Sequence, residues 1–151
     1  MILIRGAKHQ DIEVLWSLGK TVAEFSVNNN ETITFWPKDI LGKAVSSSDT
    51  LILVAEANQQ IVGFIIANLN VSLRKAIIEN VYVSPENRDA GIGSKLLAEL
   101  LANLDGTNIE YVSTLIPLDA DNASRLYLEA GFSKGEPFLW LDKSLSDTFK
   151  Q

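Results

Sequence analysis

Over residues 79–97, a hydrophobic strand runs through a short turn with two glycines straight into an amphipathic helix. Arg88 precedes Gly91 and Gly93 in the order Arg-x-x-Gly-x-Gly. The first N–H groups of a helix have no partner within the helix and lie at the positive end of its dipole. Glycine lacks the Cβ atom that would keep a ligand away from the backbone. The segment therefore predicts a site for phosphate or pyrophosphate, to which Arg88 adds a permanent positive charge.

Two common phosphate-binding motifs do not match this turn. The third glycine of the dinucleotide-binding fingerprint would fall at Leu96, and Gly93-Ser94-Lys95 lacks the Gly-Lys-Ser/Thr order of a P-loop. A structural interpretation also stays open, in which the glycines serve only a tight connection between strand and helix.

Hydrophobic periodicity along the rest of the chain predicts a single α/β (α+β) domain over residues 1–151. Its centre is expected to be a mixed, largely antiparallel sheet of about six to seven strands, flanked by about four helices. The predicted strands are residues 2–5, 50–57, 61–69, 76–83, 109–116 and 138–142. The predicted helices are residues 11–23, 38–45, 91–104 and 119–130, and the polar tail after about residue 144 is expected to be loose.

Composition narrows the classes of function. The chain has no cysteine, which excludes disulfides, thiolate metal sites and cysteine nucleophiles and fits a reducing compartment. Its formal net charge of -6 disfavours nucleic acid as a partner and attracts small cationic amines, although such a charge can also simply aid solubility. No apolar run approaches the ~20 residues that span a bilayer, so we expect a cytoplasmic protein with no membrane partner. We also expect no metal site.

Three segments resemble the GNAT superfamily of acyl-CoA-dependent N-acyltransferases. Residues 88–93 are similar to its Arg/Gln-x-x-Gly-x-Gly/Ala signature, and they follow a strand ending Val-Tyr-Val-Ser-Pro, as in that family. Asn122, Tyr127 and the pair Gly131-Phe132 resemble its second motif. The opening Ile-Arg-x-Ala-x-x-x-Asp of residues 4–11 is also similar. The resemblance spans nearly the whole chain and implies acetyl-CoA as the cosubstrate.

The same resemblance implies a role for each matching position. The strand would pair with the acetyl carbonyl and the pantetheine arm, which would enter through a splay between this strand and residues 109–116. The turn would hold the pyrophosphate, and the helix after it would contact the pantetheine. The implied cosubstrate-binding residues are Val81, Tyr82, Val83, Arg88, Asp89, Ala90, Gly91, Ile92, Gly93, Ser94, Asn122 and Ser124.

Three positions depart from the family pattern. Asp89 and Ala90 stand where the family often has basic residues or glycine, and Ala130 stands where a lysine is common. Asp89 brings negative charge close to the expected pyrophosphate. The backbone N–H groups must then supply more of the attraction.

Direct transfer of an acetyl group to an amine requires a base for the amine and an acid for the leaving thiolate. Glu79 is the candidate base. Strand alternation predicts that it shares a face with Val81 and Val83, in an apolar setting that would raise its pKa. The alternative is that Glu79 pairs with Arg74 or Lys75, or points to solvent.

Tyr127 is the candidate acid, an assignment that rests on the resemblance and on its place in the predicted helix. A phenol has a pKa near ~10, so it is protonated at neutral pH and can protonate a departing thiolate. The alternative is a packed core aromatic whose hydroxyl is already satisfied.

The acceptor pocket is expected from the first two helices and their loop, because this part varies between acyltransferases. The candidate aromatic and acidic wall for a cationic amine consists of Glu24, Phe25, Glu31, Phe35 and Trp36. Residues 23–44 loosely resemble the diamine acetyltransferases. Phe25 and Trp36 are equally compatible with the core, and His9 is expected at the surface.

The leading hypothesis is an acetyl-CoA-dependent N-acetyltransferase that acts on a primary amine of a small molecule. A protein N-terminus or a lysine is the alternative acceptor. The alternative from another class is a CoA-binding sensor that has lost catalysis. A homodimer is compatible with the sequence, which does not decide the matter.

Overall fold

The computed structural model describes residues 1–22, 26–27, 32–33 and 35–146. Its helices are α1 (Ile12–Gly19), α2 (Lys38–Val45), α3 (Ile92–Leu104) and α4 (Asp121–Glu129). Its strands are β1 (Ile2–Gly6), β2 (Ser26–Val27), β3 (Thr32–Ile33), β4 (Thr50–Ala57), β5 (Gln60–Asn70), β6 (Lys75–Val83) and β7 (Tyr111–Thr114). Short 3-10 turns lie at His9–Asp11, Val71–Leu73 and Pro85–Asn87.

Five strands form one sheet in the order β1-β4-β5-β6-β7. Neighbours are antiparallel except β6 and β7, which run parallel, and β2 pairs separately with β3. The β4–β5 hairpin turns at Asn58 and Gln59, whose positive φ angles of 50° and 63° suit the two-residue turn that fits twisted strands. The mixed, largely antiparallel sheet and its four described helices confirm the predicted architecture.

The central strand β5 is buried because helices cover both faces of the sheet. Ile65 belongs to a core cluster with the buried side of α3. Its neighbours Phe64 and Ile66 belong to a second cluster with Leu15 of α1 and Leu41 of α2. The period-2 alternation of a strand thus gives the sheet an α3 face and an α1–α2 face.

The sheet has five strands rather than six or seven, and the predicted strand at residues 138–142 is wrong for this structure. The segment lies on no strand edge, so Phe138 and Leu141 are each 83% exposed. Local β-propensity identifies a segment that can pair, but it does not supply the edge to pair with. β7 is also shorter than the predicted 109–116, since its ladder with β6 stops at Thr114.

Helix α1 ends at Gly19, before the predicted end at residue 23. Thr21 donates to the carbonyl of Leu18 from its backbone N–H at 3.3 Å and from its hydroxyl at 2.8 Å, and so closes the last turn. Gly19 lies against the ring of Phe35, and a Cβ atom there would overlap that ring. The close approach fixes the short helix against the start of the α2 region.

A buried ion pair ties β1 to the start of α1. Arg5 donates from Nη1 and Nη2 to the two carboxylate oxygens of Asp11, at 2.7 and 3.1 Å, and from Nε to Glu56 at 2.8 Å. The N–H of Lys8 donates to the same Asp11 carboxylate at 2.7 Å. The hydrogen bonds from Arg5 hold the pKa of Asp11 below its usual range. The arginine and aspartate of the opening motif thus fasten the first strand to the first helix.

Candidate active site

The turn between β6 and α3 is held by hydrogen bonds within the protein. Ser84 is buried, and its N–H donates to the carbonyl of Val62 at 2.8 Å. Asn87 donates to Ser84 Oγ from its side chain and to the Ser84 carbonyl from its backbone, both at 2.9 Å. Arg88 donates from Nε to the carbonyl of Val83 at 3.0 Å. The chain therefore enters α3 from a fixed position at the end of β6.

The backbone N–H groups of residues 89–94 donate to no acceptor in the part of the chain that the structure describes. The first N–H with a helical partner is that of Lys95, which donates to the carbonyl of Gly91 at 3.1 Å. Free N–H groups at the positive end of a helix form a ready anion site. The turn therefore has the donors that a diphosphate needs.

The two glycines of the turn differ in what they do for the fold. Gly91 is the N-cap of α3 with a φ of 72°, a left-handed conformation that favours glycine. Gly93 has no positive φ, and a Cβ atom there would make only ordinary contact, 3.6 Å from the Leu126 side chain. A purely structural role therefore explains Gly91 but not Gly93.

The side chains of the turn point mostly away from the core. Arg88, Asp89, Ala90 and Ser94 are exposed, whereas the Ile92 side chain is buried in the α3 cluster. Asp89 adopts a positive φ of 62°, which aspartate tolerates better than most residues. Except for Arg88, the turn can thus offer an anion little beyond its backbone.

Strand β6 extends beyond the end of its ladder with β7. Their ladder runs from the Lys75–Tyr111 pair to the Ile78–Thr114 pair, and β6 then continues to Val83 with no β7 partner among the described residues. Thr114 closes the last rung, because its Oγ1 donates to the carbonyl of Ile78 at 3.0 Å. Beyond this rung the edge of β6 has no strand partner among the described residues, and the splay that the resemblance implies stays a prediction.

The end of β6 lies beside the predicted opening. Val81 and Val83 are partly buried and pack against the cluster on the α3 face. The ring of Tyr82 is on the other face, where it stacks on Phe64 with centroids 5.3 Å apart. The two valines and the tyrosine therefore face different sides of the sheet.

Tyr127 is buried in the α3 cluster, and its ring meets Phe132 edge-on at 5.1 Å. Its hydroxyl lies beside the side chain of Thr114, which itself donates to the carbonyl of Ile78 at 3.0 Å. Burial raises the pKa of the Tyr127 phenol. The Tyr127 hydroxyl thus lies close to Thr114, at the last rung of the ladder between β6 and β7.

Asn122 and Ser124 lie in the first turns of α4, the helix that carries Tyr127. Asn122 is exposed and Ser124 is half-buried. Neither side chain hydrogen-bonds to a described residue, so both polar groups remain available to a ligand.

Glu79 occupies a β-bulge. Ile66 and Ala67 of β5 face Asn80 and Ile78 of β6, so β6 carries one extra residue between them. The Glu79 carboxylate accepts a hydrogen bond from Asn68 Nδ2 at 3.0 Å. Asn68 lies two residues from Ile66 on β5, so Glu79 reaches the α1–α2 face.

The prediction that Glu79 shares a face with Val81 and Val83 is therefore wrong. Those valines pack on the α3 face, and the bulge interrupts the alternation on which the prediction relied. Glu79 is exposed rather than set among apolar groups, and it accepts from an amide rather than from Arg74, which pairs with Glu110. The bulge nevertheless starts directly after Ile78 and so places Glu79 where β6 leaves β7.

A polar and aromatic surface lies on the α1–α2 face close to Glu79. Trp36 donates from its indole N–H to Oδ1 of Asn80 at 2.8 Å, and Asn80 is only 7% exposed. We call this surface the acceptor face, and its members are Trp36, Asn68, Glu79, Asn80 and Tyr82. Phe35 is buried and packs against Phe64 beneath it, with centroids 5.7 Å apart.

Sequence reasoning missed Asn80 and Thr114. An asparagine inside an apolar strand, directly after the candidate base, was a visible signal that the strand carries more than a core. Thr114 gave no comparable signal, because threonine is common in strands. Of the other candidates, Glu24, Phe25 and Glu31 lie outside the described residues, and His9 is exposed and contacts Ser46, as expected.

Within the described residues, no group of three or more histidine, cysteine, aspartate or glutamate side chains could hold a metal ion. None of the helices described here is long and apolar enough to cross a bilayer.

A family model described as an acetyltransferase (GNAT) domain matches residues 48–134, more than half of the chain. That range contains the turn, the ladder between β6 and β7, and Tyr127. Among curated protein sequences, none matches this chain significantly.

Solved structures share the fold at low sequence identity. PaiA N-acetyltransferase from Thermoplasma acidophilum, in complex with coenzyme A, has a TM-score of 0.78 at 23% identity over 91% of this chain and 93% of its own. Aminoglycoside 6'-N-acetyltransferase AAC(6')-Ih from Acinetobacter baumannii has a TM-score of 0.74 at 15% identity, and the match covers 97% of this chain and 100% of that protein's chain. The ribosomal-protein-S18-alanine N-acetyltransferase from Escherichia coli has a TM-score of 0.71 at 18% identity, and the match covers 90% of this chain and 80% of that protein's chain. These identities establish the fold alone.

Proposed function

The chain belongs to the GNAT acetyltransferase family, and on that premise we propose that it transfers an acetyl group from acetyl-CoA to a primary amine of a small molecule. The observation that carries the proposal is the Ile78–Thr114 pair, beyond which β6 has no strand partner among the described residues. The Tyr127 hydroxyl lies beside Thr114, and the residue after Ile78 on β6 is Glu79. A candidate acid and a candidate base therefore lie beside the predicted opening.

Acetyl-CoA fits the donors around that opening and would supply an acyl group already activated as a thioester. The free N–H groups of residues 89–94 suit its diphosphate, and Arg88 adds charge. The open edge of β6 around Val81 and Val83 offers backbone groups to an extended amide chain, as an edge strand does to an added peptide. Asn122 and Ser124 supply further polar groups from α4.

Tyr127 is proposed to protonate the departing thiolate. Thr114 uses its own hydroxyl proton on the Ile78 carbonyl, so its oxygen is available to accept a proton from the resting phenol. Rotation about the phenol C–O bond redirects that proton without moving the ring, which is buried and packed. The raised pKa keeps the phenol protonated at neutral pH, as an acid requires.

Glu79 is proposed to take a proton from the amine, directly or through a water molecule. The carboxylate is exposed and already accepts from Asn68, so it can receive a cationic amine without being stripped of all its partners. Its place on the acceptor face separates it from the two valines of the α3 face. Amine and acyl group would then approach the opening from different sides of the sheet.

A small amine suits the acceptor face. Trp36 and Tyr82 are partly exposed aromatics that can lie against a cation, and Glu79 supplies an exposed carboxylate. The net charge of -6 would draw cationic molecules toward the protein. Similarity in fold to an aminoglycoside acetyltransferase agrees with a small acceptor, while similarity to a ribosomal-protein acetyltransferase keeps a protein N-terminus as the rival.

The experiment is thiol release from acetyl-CoA in the presence of a panel of diamines, aminoglycosides, lysine peptides and peptides with a free N-terminus. We expect release that depends on a small amine. Release with peptides alone would make a protein the acceptor. Tight binding of acetyl-CoA without release for any member of the panel would indicate a sensor rather than an enzyme.

Two matched pairs of variants assign the roles. Tyr127→Phe should lower kcat by about 100-fold, the scale of general acid catalysis, with acetyl-CoA affinity nearly unchanged, and Tyr111→Phe on exposed β7 is its control. Glu79→Gln should lower kcat/KM by about 100-fold at a fixed pH, with the exposed Glu110→Gln as control. A full rate in Tyr127→Phe or in Glu79→Gln would remove that residue from the mechanism.

A further inference from the structure

Asn80 is a polar side chain that is almost fully buried on the α1–α2 face of the sheet. It is 7% exposed, and it pairs across the sheet with Ile66, whose side chain belongs to the cluster on that face. Its Oδ1 accepts the indole N–H of Trp36 at 2.8 Å. An indole N–H is a donor only, so it faces the amide oxygen and the amide nitrogen is turned the other way. The tryptophan therefore sets the orientation of the Asn80 amide.

The Nδ2 group of Asn80 donates to no acceptor in the part of the chain that the structure describes. Among those same residues, every fully buried side-chain nitrogen or oxygen atom has a hydrogen-bond partner. The small exposed part of Asn80 must therefore include Nδ2, so its N–H donors can be reached by a ligand. A nearly buried donor that is left unpaired is unfavourable, and an oxygen atom of a ligand would relieve it.

The neighbouring acceptor on this surface is the carboxylate of Glu79. Glu79 is exposed, and its Oε1 accepts from Asn68 at 3.0 Å, while no described residue donates to Oε2. Consecutive residues of a regular strand point to opposite faces, but the bulge at Glu79 brings both it and Asn80 to the acceptor face. A free donor and a free acceptor thus belong to consecutive residues of one surface.

We propose that the acceptor substrate is a vicinal amino alcohol, with its hydroxyl on the carbon next to the one that carries the amine. The amine faces Glu79, and the hydroxyl oxygen accepts from Asn80 Nδ2. This inference rests on the proposed function and names the acceptor class for that same site. Consecutive Cα atoms are only about 3.8 Å apart, so the two groups that the residues bind are also near neighbours in the acceptor.

Other amines use this pair of residues less well. A plain alkylamine leaves Nδ2 of Asn80 unpaired, and a second ammonium group would meet the positive end of its N–H bonds. A carboxylate beside the amine would be repelled by Glu79 and by the net charge of -6. A peptide carbonyl can accept from Nδ2, but it has no proton to donate to Oε2 of Glu79, whereas a hydroxyl has one.

The test compares ethanolamine with propylamine, which has a methyl group in place of the hydroxyl. We define the hydroxyl preference as kcat/KM for ethanolamine divided by kcat/KM for propylamine, both from thiol release. The hydroxyl also lowers the pKa of the amine itself, so the preference is compared between native protein and variants, where that effect cancels. The fraction of folded protein cancels in the same ratio, so a merely structural role would not change it.

Asn80→Leu removes the amide at similar volume, and the hydroxyl preference should fall about tenfold, the scale of one hydrogen bond. The control is Asn103→Leu on α3, where the amide bonds only within its own helix and the preference should not change. A preference that is equal in native protein and in Asn80→Leu would overturn the inference while acetyl transfer remained intact. Absence of thiol release with every amine would overturn the proposed function and the inference with it.

Trp36→Phe tests Trp36 as a positioning residue. It keeps an aromatic ring but removes the indole N–H, so the Asn80 amide is free to turn and the hydroxyl preference should fall about threefold. The control is Trp140→Phe, which removes an indole N–H that is bonded to Asp142 in an exposed segment and should leave the preference unchanged. An unchanged preference in Trp36→Phe would contradict the orienting role.

Alaninol and alaninamide distinguish the two possible oxygen atoms, since they place a hydroxyl and a carbonyl oxygen on the same carbon skeleton. We expect alaninol to have the higher kcat/KM in native protein and to lose that advantage in Asn80→Leu. A higher kcat/KM for alaninamide that depends on Asn80 would make the bound oxygen a peptide carbonyl. The amino alcohol would then be rejected in favour of a protein N-terminus.

Discussion

Replacement of Asp11 by alanine should cost the fold about 3 kcal/mol, at the lower end of the ~3–5 kcal/mol expected when one partner of a buried ion pair is removed. The carboxylate accepts two hydrogen bonds from Arg5 and one from Lys8, and its side chain is only 6% exposed. The lower end applies because Arg5 keeps Glu56 at 2.8 Å and is not left alone. For a chain of this length, that loss corresponds to a fall in Tm of about 6–12 °C.

The control is Glu13→Ala, which removes an exposed ion pair of the same length. Glu13 and Lys38 are 2.7 Å apart, but their side chains are 71% and 45% exposed, so the expected loss is about 0–1 kcal/mol. Both variants are measured by urea denaturation at pH 7. A loss below about 1 kcal/mol for Asp11→Ala would refute the reasoning, since it would equal the loss of an exposed pair.

The pH dependence gives a second readout of the same pair. Because the pKa of Asp11 is lower in the folded protein than in the unfolded chain, its contribution is fully present above the unfolded value of about 3.9 and is lost as the pH falls through the folded value. The difference between native protein and Asp11→Ala should therefore stay constant from pH 7 to about pH 5 and shrink below pH 4. A difference that persists unchanged into strong acid would mean that the charge of Asp11 contributes nothing.

Four further substitutions separate folding, ligand binding and catalysis around the predicted opening. Gly91→Ala should destabilise the fold by about 1–2 kcal/mol because its φ is 72°, whereas Gly93→Ala should leave the Tm nearly unchanged and weaken coenzyme A binding in calorimetry. Undiminished binding in Gly93→Ala would indicate that no ligand approaches that backbone. Gly63→Ala should lower the Tm, because its Cβ would lie 2.7 Å from a carbonyl oxygen of β6, and an unchanged Tm would mean that the strands can part there without cost. Thr114→Val should reduce kcat about fivefold, the equivalent of one hydrogen bond of ~1 kcal/mol, with KM preserved; unchanged kcat would show that the phenol needs no such support.

The elements with strong periodicity were predictable from the sequence. Helix α2 and strand β4 have the predicted bounds, and α3 differs by one residue, because their apolar spacing reports a buried face directly. The turn at residues 88–93 was also predictable, because its glycines and the helix that follows are both visible in a short stretch of sequence.

The position of Glu79 was not predictable from the sequence. Alternation gives the face of a strand residue only while pairing is regular, and a bulge arises from the fit between two strands rather than from either one. The hydrogen bond from Trp36 to Asn80 joins residues that are far apart in the chain, so no local sequence pattern predicts it. For residues 138–142 the sequence does predict a strand from local propensity. Whether a strand edge is available to pair with them depends on the assembled sheet, which local propensity does not describe.

The N–H groups of residues 89–94 that we propose for a diphosphate belong to the main chain, and Ser94 alone among these residues adds an exposed hydroxyl. A change of side chain at those positions leaves the donors in place, and only proline would delete one. Distant members of such a family can therefore drift widely in sequence and still share one acyl donor. What each member acetylates would be decided on the opposite side of the sheet, so a new substrate can be acquired without rebuilding the half of the protein that holds the old one.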